Sequence, residues 1–176
     1  EDLVENALVL GAGFLKTSWR TDHGEPYDVY NGKVIYTGDV DISVVSVFDT
    51  FYDINASSWD QLDWVEIRTI KNRWDLIEQH PKLKEDLLAL PSWYEIRGPN
   101  YWFDRANEND DMVCIYECYA RPSASLPKGR MIVYGDERTV IYDGENPYGM
   151  IPLEPMMPEK VQGTLLGYPK YTDLMP

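Results

Sequence analysis

The hydrophobic period of the chain changes several times, and each change marks an element. Leu3, Ala7 and Leu10 recur at helical spacing and Gly11 follows as a stop, which predicts the last turns of a helix over 1–12. From Gly13 the period shortens to two. Residues 14–20 read as a strand and 22–26 as a loop, while 27–30 and 33–36 flank Asn31-Gly32, a pair that accepts the positive φ angles of a type I′ turn; this is a hairpin. A strand over 40–46 sets Val40, Ile42 and Val44 on one face, expected to be buried, and Asp41 and Ser43 on the other, expected to be wet. Residues 48–60, rich in Asp, Ser, Asn and aromatic rings, read as a long loop, and 62–70 resume a strand with Val65, Ile67 and Thr69 in phase, so that β pattern spans 13–70.

A helical pair follows over 71–90. Asn72 is placed to cap its start, with Asp75 as the acidic member of a capping box. Pro81 removes a hydrogen bond from any helix that contains it, so it breaks the segment and opens a second helix, whose apolar stripe of Leu83, Leu87 and Leu90 ends at Pro91. Trp74, Ile77, Leu83 and Leu87 are expected to face the sheets as core. Residues 91–111 form an aromatic loop without period, holding Trp93, Tyr94, Tyr101, Trp102 and Phe103. A strand over 112–119 and a hairpin of 130–134 with 139–142 make a β region over 112–145, and the proline-rich tail 146–176 reads as extended. Strands, a kinked helical pair and strands again predict an α+β fold of mostly antiparallel hairpins and sheets, with 1–176 as one unit and no internal repeat. The start at Glu1 and the plain end at Pro176 lead to the expectation that the chain is a piece of a longer protein.

Composition narrows the function classes. With 176 residues, 44% of them hydrophobic, the chain can bury a core. Thirty acidic residues against 16 basic ones give a net charge of -14, which argues against a cationic patch that grips duplex DNA through its phosphates. The acid is uneven: residues 1–60 carry -8, 61–100 carry -1 and 101–176 carry -5. The uncharged run at 6–15 falls short of the ~20 apolar residues of a membrane span, so no membrane partner is expected.

Few chemical motifs stand up to weighing. Gly11-Ala12-Gly13 lacks a third glycine and leaves a helix for a strand, the reverse of a dinucleotide loop, so Gly11 reads as a helix cap. Neither a phosphate-binding Gly-x-x-x-x-Gly-Lys-Ser/Thr loop nor a Gly-x-Ser-x-Gly elbow occurs. Cys114 and Cys118 share one strand at ~13 Å, too far apart for a disulfide, and read as small apolar side chains of one sheet face. His23 in a turn and His80 at a helix break read as exposed polar residues rather than metal ligands. Asp49 with Asp53, or Asp110 with Asp111, beside Trp59 or Trp102, could supply the acid and base of a glycosidase cleft. This keeps one alternative open, a small carbohydrate-binding or carboxylate-dependent glycan-hydrolysing domain. The main reading assigns no catalytic, cofactor-binding or metal-binding residue and expects no enzyme.

A more specific signal lies in the order of several short runs. The run from Ala7 to Lys16 (Ala-Leu-Val-Leu-Gly-Ala-Gly-Phe-Leu-Lys), Val44 to Asp53 followed by Ala56, and the strand from Trp64 to Ile70 leading into the helix from Arg73 resemble portal proteins of tailed bacteriophages. So do Val113 to Tyr119, Arg121-Pro122-Ser123, Pro127-Lys128-Gly129-Arg130, and Val140 to Gly144 with Asn146-Pro147-Tyr148-Gly149, in the same order. The resemblance covers most of the chain. It implies a wing-like fragment of a ring, typically of twelve subunits, at one capsid vertex. That ring is a structural conduit for genome packaging and ejection and a docking site for terminase and tail. The implied partners are other portal subunits, capsid protein, terminase and tail or adaptor proteins, with DNA passing through without sequence-specific binding. The implied location is the virion, and the host cytoplasm before assembly. The long stem helices and the clip of that family are not recognisable here, and no residue is assigned to channel or motor docking.

Overall fold

A computed structural model of the chain describes residues 2–30, 32–93 and 111–174. The fold is α+β with antiparallel sheets. Its residues gather into two compact units, 1–48 with 55–61 and 152–176, and 49–54 with 62–151.

The first unit begins with α1 (Asp2–Leu10), which runs through Gly11 into β1 (Gly13–Arg20). The Gly11 amide closes the helix on the Ala7 carbonyl at 3.0 Å, and a Cβ on Gly11 would meet the Gly167 carbonyl at 2.3 Å. Gly11 is therefore a helix cap. β1 continues to β2 (Pro26–Tyr30), which turns back as β3 (Lys33–Tyr36), and β4 (Asp39–Val45) returns along β1. The expected hairpin is present with Tyr30 opposite Lys33; Asn31 lies outside the described residues. A three-stranded sheet forms in the order β10-β1-β4, with β10 (Leu153–Met156) drawn from the tail.

Two expectations change here. Leu153–Met156 is a strand rather than plain extended chain, with Pro155 opposite Phe14. An edge strand tolerates a residue without an amide proton, which is why its prolines hide it. Val40, Ile42 and Val44 are exposed, at 52, 64 and 42%, whereas Asp41 and Ser43 are half-buried. Alternation gives the pleat correctly but not which side is covered. The covered side is that of Phe14, Lys16 and Val45, where the Trp59 ring stacks on Phe14 at 5.0 Å and donates from Nε1 to the Leu153 carbonyl.

The second unit is a five-stranded antiparallel meander in the order β5-β6-β7-β8-β9: Thr50–Tyr52, Trp64–Asn72, Met112–Ala120, Arg130–Tyr134 and Val140–Gly144. The segment 48–60, expected as loop, thus contains a short strand, flanked by 3-10 turns at Val47–Asp49 and Trp59–Gln61. α2 (Arg73–Gln79) starts directly at the end of β6, with the Asn72 side chain accepting from the Trp74 amide at 2.8 Å. His80 ends it, Pro81 opens a 3-10 turn, and α3 (Lys84–Ala89) follows. Leu76, Leu87 and Leu90 join Val113 and Ile115 in a core against which Ile77 and Leu83 pack. Trp74 does not belong to it: the ring is half exposed and its Nε1 donates to Asp111 at 2.9 Å. Because β6 fixes where α2 begins, Leu76 rather than Trp74 turns toward the sheet. Tyr94, Tyr101, Trp102 and Phe103 of the expected aromatic loop lie outside the described residues.

Candidate functional site

Asp49 and Asp111, two of the carboxylates singled out by the sequence, are held in architectural contacts. Asp49 accepts from Arg68 Nε at 2.9 Å and Nη2 at 2.8 Å, and the same guanidinium lies over Trp93 at 5.0 Å and Phe51 at 5.8 Å. Asp53 belongs to the same unit as Asp49, whereas Trp59 belongs to the other. Asp111 holds α2, accepting from Trp74 Nε1 on its side chain and from the Arg73 amide on its carbonyl at 2.7 Å; Asp110 and Trp102 lie outside the described residues. Cys114 and Cys118 are both free on β7, and burial raises the pKa of each thiol. A thiol so placed is a weaker nucleophile, since reactivity follows the thiolate. His23 sits 3.2 Å from the Asp22 carboxylate in an exposed turn, and His80 uses its backbone to join α2 to the next turn. Among the described residues, no three of His, Cys, Asp or Glu gather as a metal-ligand set.

The buried polar groups of the second unit follow the same rule. Glu117, 7% exposed, accepts from the Tyr119 hydroxyl at 2.7 Å, with Lys71 at 3.8 Å. Burial first, and then the neighbouring Glu117 carboxylate, push the Tyr119 phenol far above its ordinary pKa. Tyr134 donates to Glu66 at 2.6 Å and is raised by the same two causes, burial before the carboxylate. Asn146 donates to the Ala120 and Met150 carbonyls and accepts from the Tyr148 amide, so the Asn-Pro-Tyr-Gly run is a locked turn. Neither these hydrogen-bonded carboxylates nor the Arg68 cage was singled out by the sequence. The partners come from strands far apart in the chain, and no local pattern announces them.

What the fold leaves open is apolar surface on the first unit. β10 pairs only with Gly13–Lys16 of β1, so beyond Lys16 the β1/β4 ribbon is two-stranded, and it continues into the β2/β3 hairpin. This makes an arm. α1 packs on one face at its root, where a Cβ on Gly13 would lie 2.7 Å from the Leu3 carbonyl. By alternation the same face carries on as Leu15, Thr17 and Trp19, cross-paired with Val44, Ile42 and Val40. Past the helix it is uncovered and carries no charge. At the waist, the Thr37 amide donates to the Glu25 carbonyl and the Glu25 amide to Thr37 Oγ1, while Gly38 lies flat beneath the Trp19 indole. All nine residues of β2 and β3 are exposed, Tyr27, Val29, Tyr30, Val34, Ile35 and Tyr36 among them.

Exposed apolar area of this kind is a common mark of a contact surface, and an open depression lined by Thr21, Asp22, Tyr30, Lys33, Val34, Ile35 and Tyr36 lies on it. Among the described residues no helix is long and apolar enough to cross a membrane. No protein-family model matches the chain, and no curated protein matches it either.

Proposed function

We propose that the chain is the wing-like part of a portal subunit of a tailed bacteriophage, a structural component of the capsid vertex and not an enzyme. The observation that carries this reading is the ordered run of motifs between Ala7 and Gly149, whose members serve as joints of the architecture. Gly11 closes α1 over a contact with Gly167, Asp49 anchors Arg68, and Asn146 locks the turn after β9. Residues at such positions preserve shape, which is what an assembly subunit needs from them.

Two physical features support the same reading. A ring subunit presents different surfaces to its two neighbours and must keep apolar area uncovered until it assembles, as the arm does. A net charge of -14 suits a protein that DNA passes without being held, since tight phosphate binding requires the opposite sign. Other portal subunits, capsid protein, terminase and tail proteins are the partners of this role, exercised in the virion after assembly in the host cytoplasm. The neighbouring genes provide the test. A terminase gene beside the one encoding this chain is the expected result. A locus without terminase, capsid or tail genes, together with glycan binding or hydrolysis by the purified chain, overturns the proposal in favour of the carbohydrate-active alternative.

A further inference from the structure

The first unit holds a cavity of about 340 Å³ between residues 57–60 and 154–165, all of them within that unit. Its walls are fixed before anything enters. Trp59 is held by its stack on Phe14 and by the Nε1 hydrogen bond to the Leu153 carbonyl. The tail loop is closed at its base by the bridge between Lys160 and Gly167 and by the Tyr168 amide, which donates to the Glu159 carbonyl at 2.9 Å. Inside the loop the Thr164 hydroxyl lies 3.1 Å from the Val161 carbonyl and 2.6 Å from that of Leu166. Pro155, Met157, Val161 and Leu165 supply apolar lining.

The charges at the rim single this cavity out. Glu154 and Lys160 both line it and are exposed, and neither has an ion-pair partner among the described residues. Elsewhere Arg20, Arg68, Lys71, Lys128, Arg130 and Lys170 each face a carboxylate. Glu159, next to Lys160 in the chain, is taken by Lys170, and Asp60, a second carboxylate of the lining, holds an interaction of its own. We propose that this cavity binds a small zwitterion with an apolar body, the chemistry of a free aliphatic α-amino acid. Its ammonium is set against Glu154, its carboxylate against Lys160 and its side chain against the apolar wall.

Charge and size select that class. A simple anion meets Glu154 and Asp60 on a chain of net charge -14, and a simple cation leaves Lys160 as a like charge at the rim. A zwitterion answers both groups with charge-assisted hydrogen bonds. At ~30 Å³ for each water, the volume has room for about eleven waters, which suits an amino acid and is small for a nucleotide or an oligosaccharide.

The proposal is independent of the portal reading, since the cavity lies within one chain and takes no part in the contacts of a ring. Isothermal titration calorimetry of the 176-residue chain tests it. The ligands are L-leucine and two analogues with the same branched skeleton, isopentylamine without the carboxylate and isocaproate without the ammonium. Leucine is expected to saturate one site, and each analogue to bind at least about fivefold more weakly. Glu154→Gln should weaken leucine by a similar factor without weakening isocaproate, and Lys160→Gln should weaken leucine without weakening isopentylamine. Lys82→Gln, in the other unit, should change nothing. All three altered residues are exposed, so circular dichroism should show the fold retained. No saturable heat with leucine up to ~10 mM overturns the proposal. So do an analogue or glucose bound as tightly as leucine, leucine binding unchanged by Glu154→Gln and Lys160→Gln, or an equal loss in Lys82→Gln.

Discussion

Leu87 has no exposed surface and belongs to a core built from the helical pair and strand β7, with Val133 and Ile141 packed against it, whereas Lys82, on the connecting turn, is exposed. Truncating Leu87 removes buried area and leaves a cavity. Leu87→Ala is accordingly expected to cost ~2–5 kcal/mol in urea unfolding, and Lys82→Ala to stay within ~0.5 kcal/mol. Equal, small effects would show that the helical pair is not packed on the sheet. The tyrosines make a second residue-scale prediction. Tyr119 and Tyr134 have pKa values raised above the ordinary ~10 by burial and by their carboxylate neighbours. A raised folded value contributes stability that is complete below pH ~10. It is lost as pH climbs beyond that, because the unfolded phenol ionises while the folded one does not. In an alkaline titration followed by phenolate absorbance, these two of the 13 tyrosines should ionise only as the chain unfolds. Ionisation of all 13 near pH ~10 with the fold intact would contradict the two hydroxyl-carboxylate pairs.

At the scale of elements, the waist of the arm rests on Gly38. Its φ is +82° and a Cβ there would lie 2.6 Å from the Trp19 indole, whereas Gly32, at φ +77°, has nothing within 4 Å. Both alanine substitutions meet the same backbone penalty, on the order of 1 kcal/mol. Only Gly38→Ala should also displace the indole, so its stability loss should exceed that of Gly32→Ala and be accompanied by a change in tryptophan emission. Identical behaviour of the two variants would mean that Trp19 does not pack on the waist. This element also shows how far the sequence reaches. Local signals are reliable: Asn31-Gly32 gives the hairpin, Asn72 the cap, Pro81 the break, and the alternation over 40–46 a strand. Long-range choices are not encoded locally. Whether Val40, Ile42 and Val44 or Asp41 and Ser43 lie inward depends on Trp59 settling over Phe14, and β10 exists because β1 had a free edge at Gly13–Lys16. Trp74 fails as core for the same reason, since β6 sets the angle at which α2 leaves the sheet. Of the carboxylates read from spacing, Asp49 meets Arg68 and Asp111 meets Trp74, because a carboxylate in a loop takes a donor the fold supplies.

At the scale of the whole molecule, several polar groups among the described residues are engaged within the fold, while an apolar arm stands open on a chain of net charge -14. Closed rings arise from heterologous contacts, in which one surface of a subunit lands on a different surface of the next and the rotation closes. Direct imaging of the purified protein is the most telling measurement. Electron microscopy of the purified protein should show rings with a central channel and rotational symmetry of about twelve, as the portal resemblance implies. Monomers, or compact dimers related by a two-fold axis at the same concentration, would contradict the account.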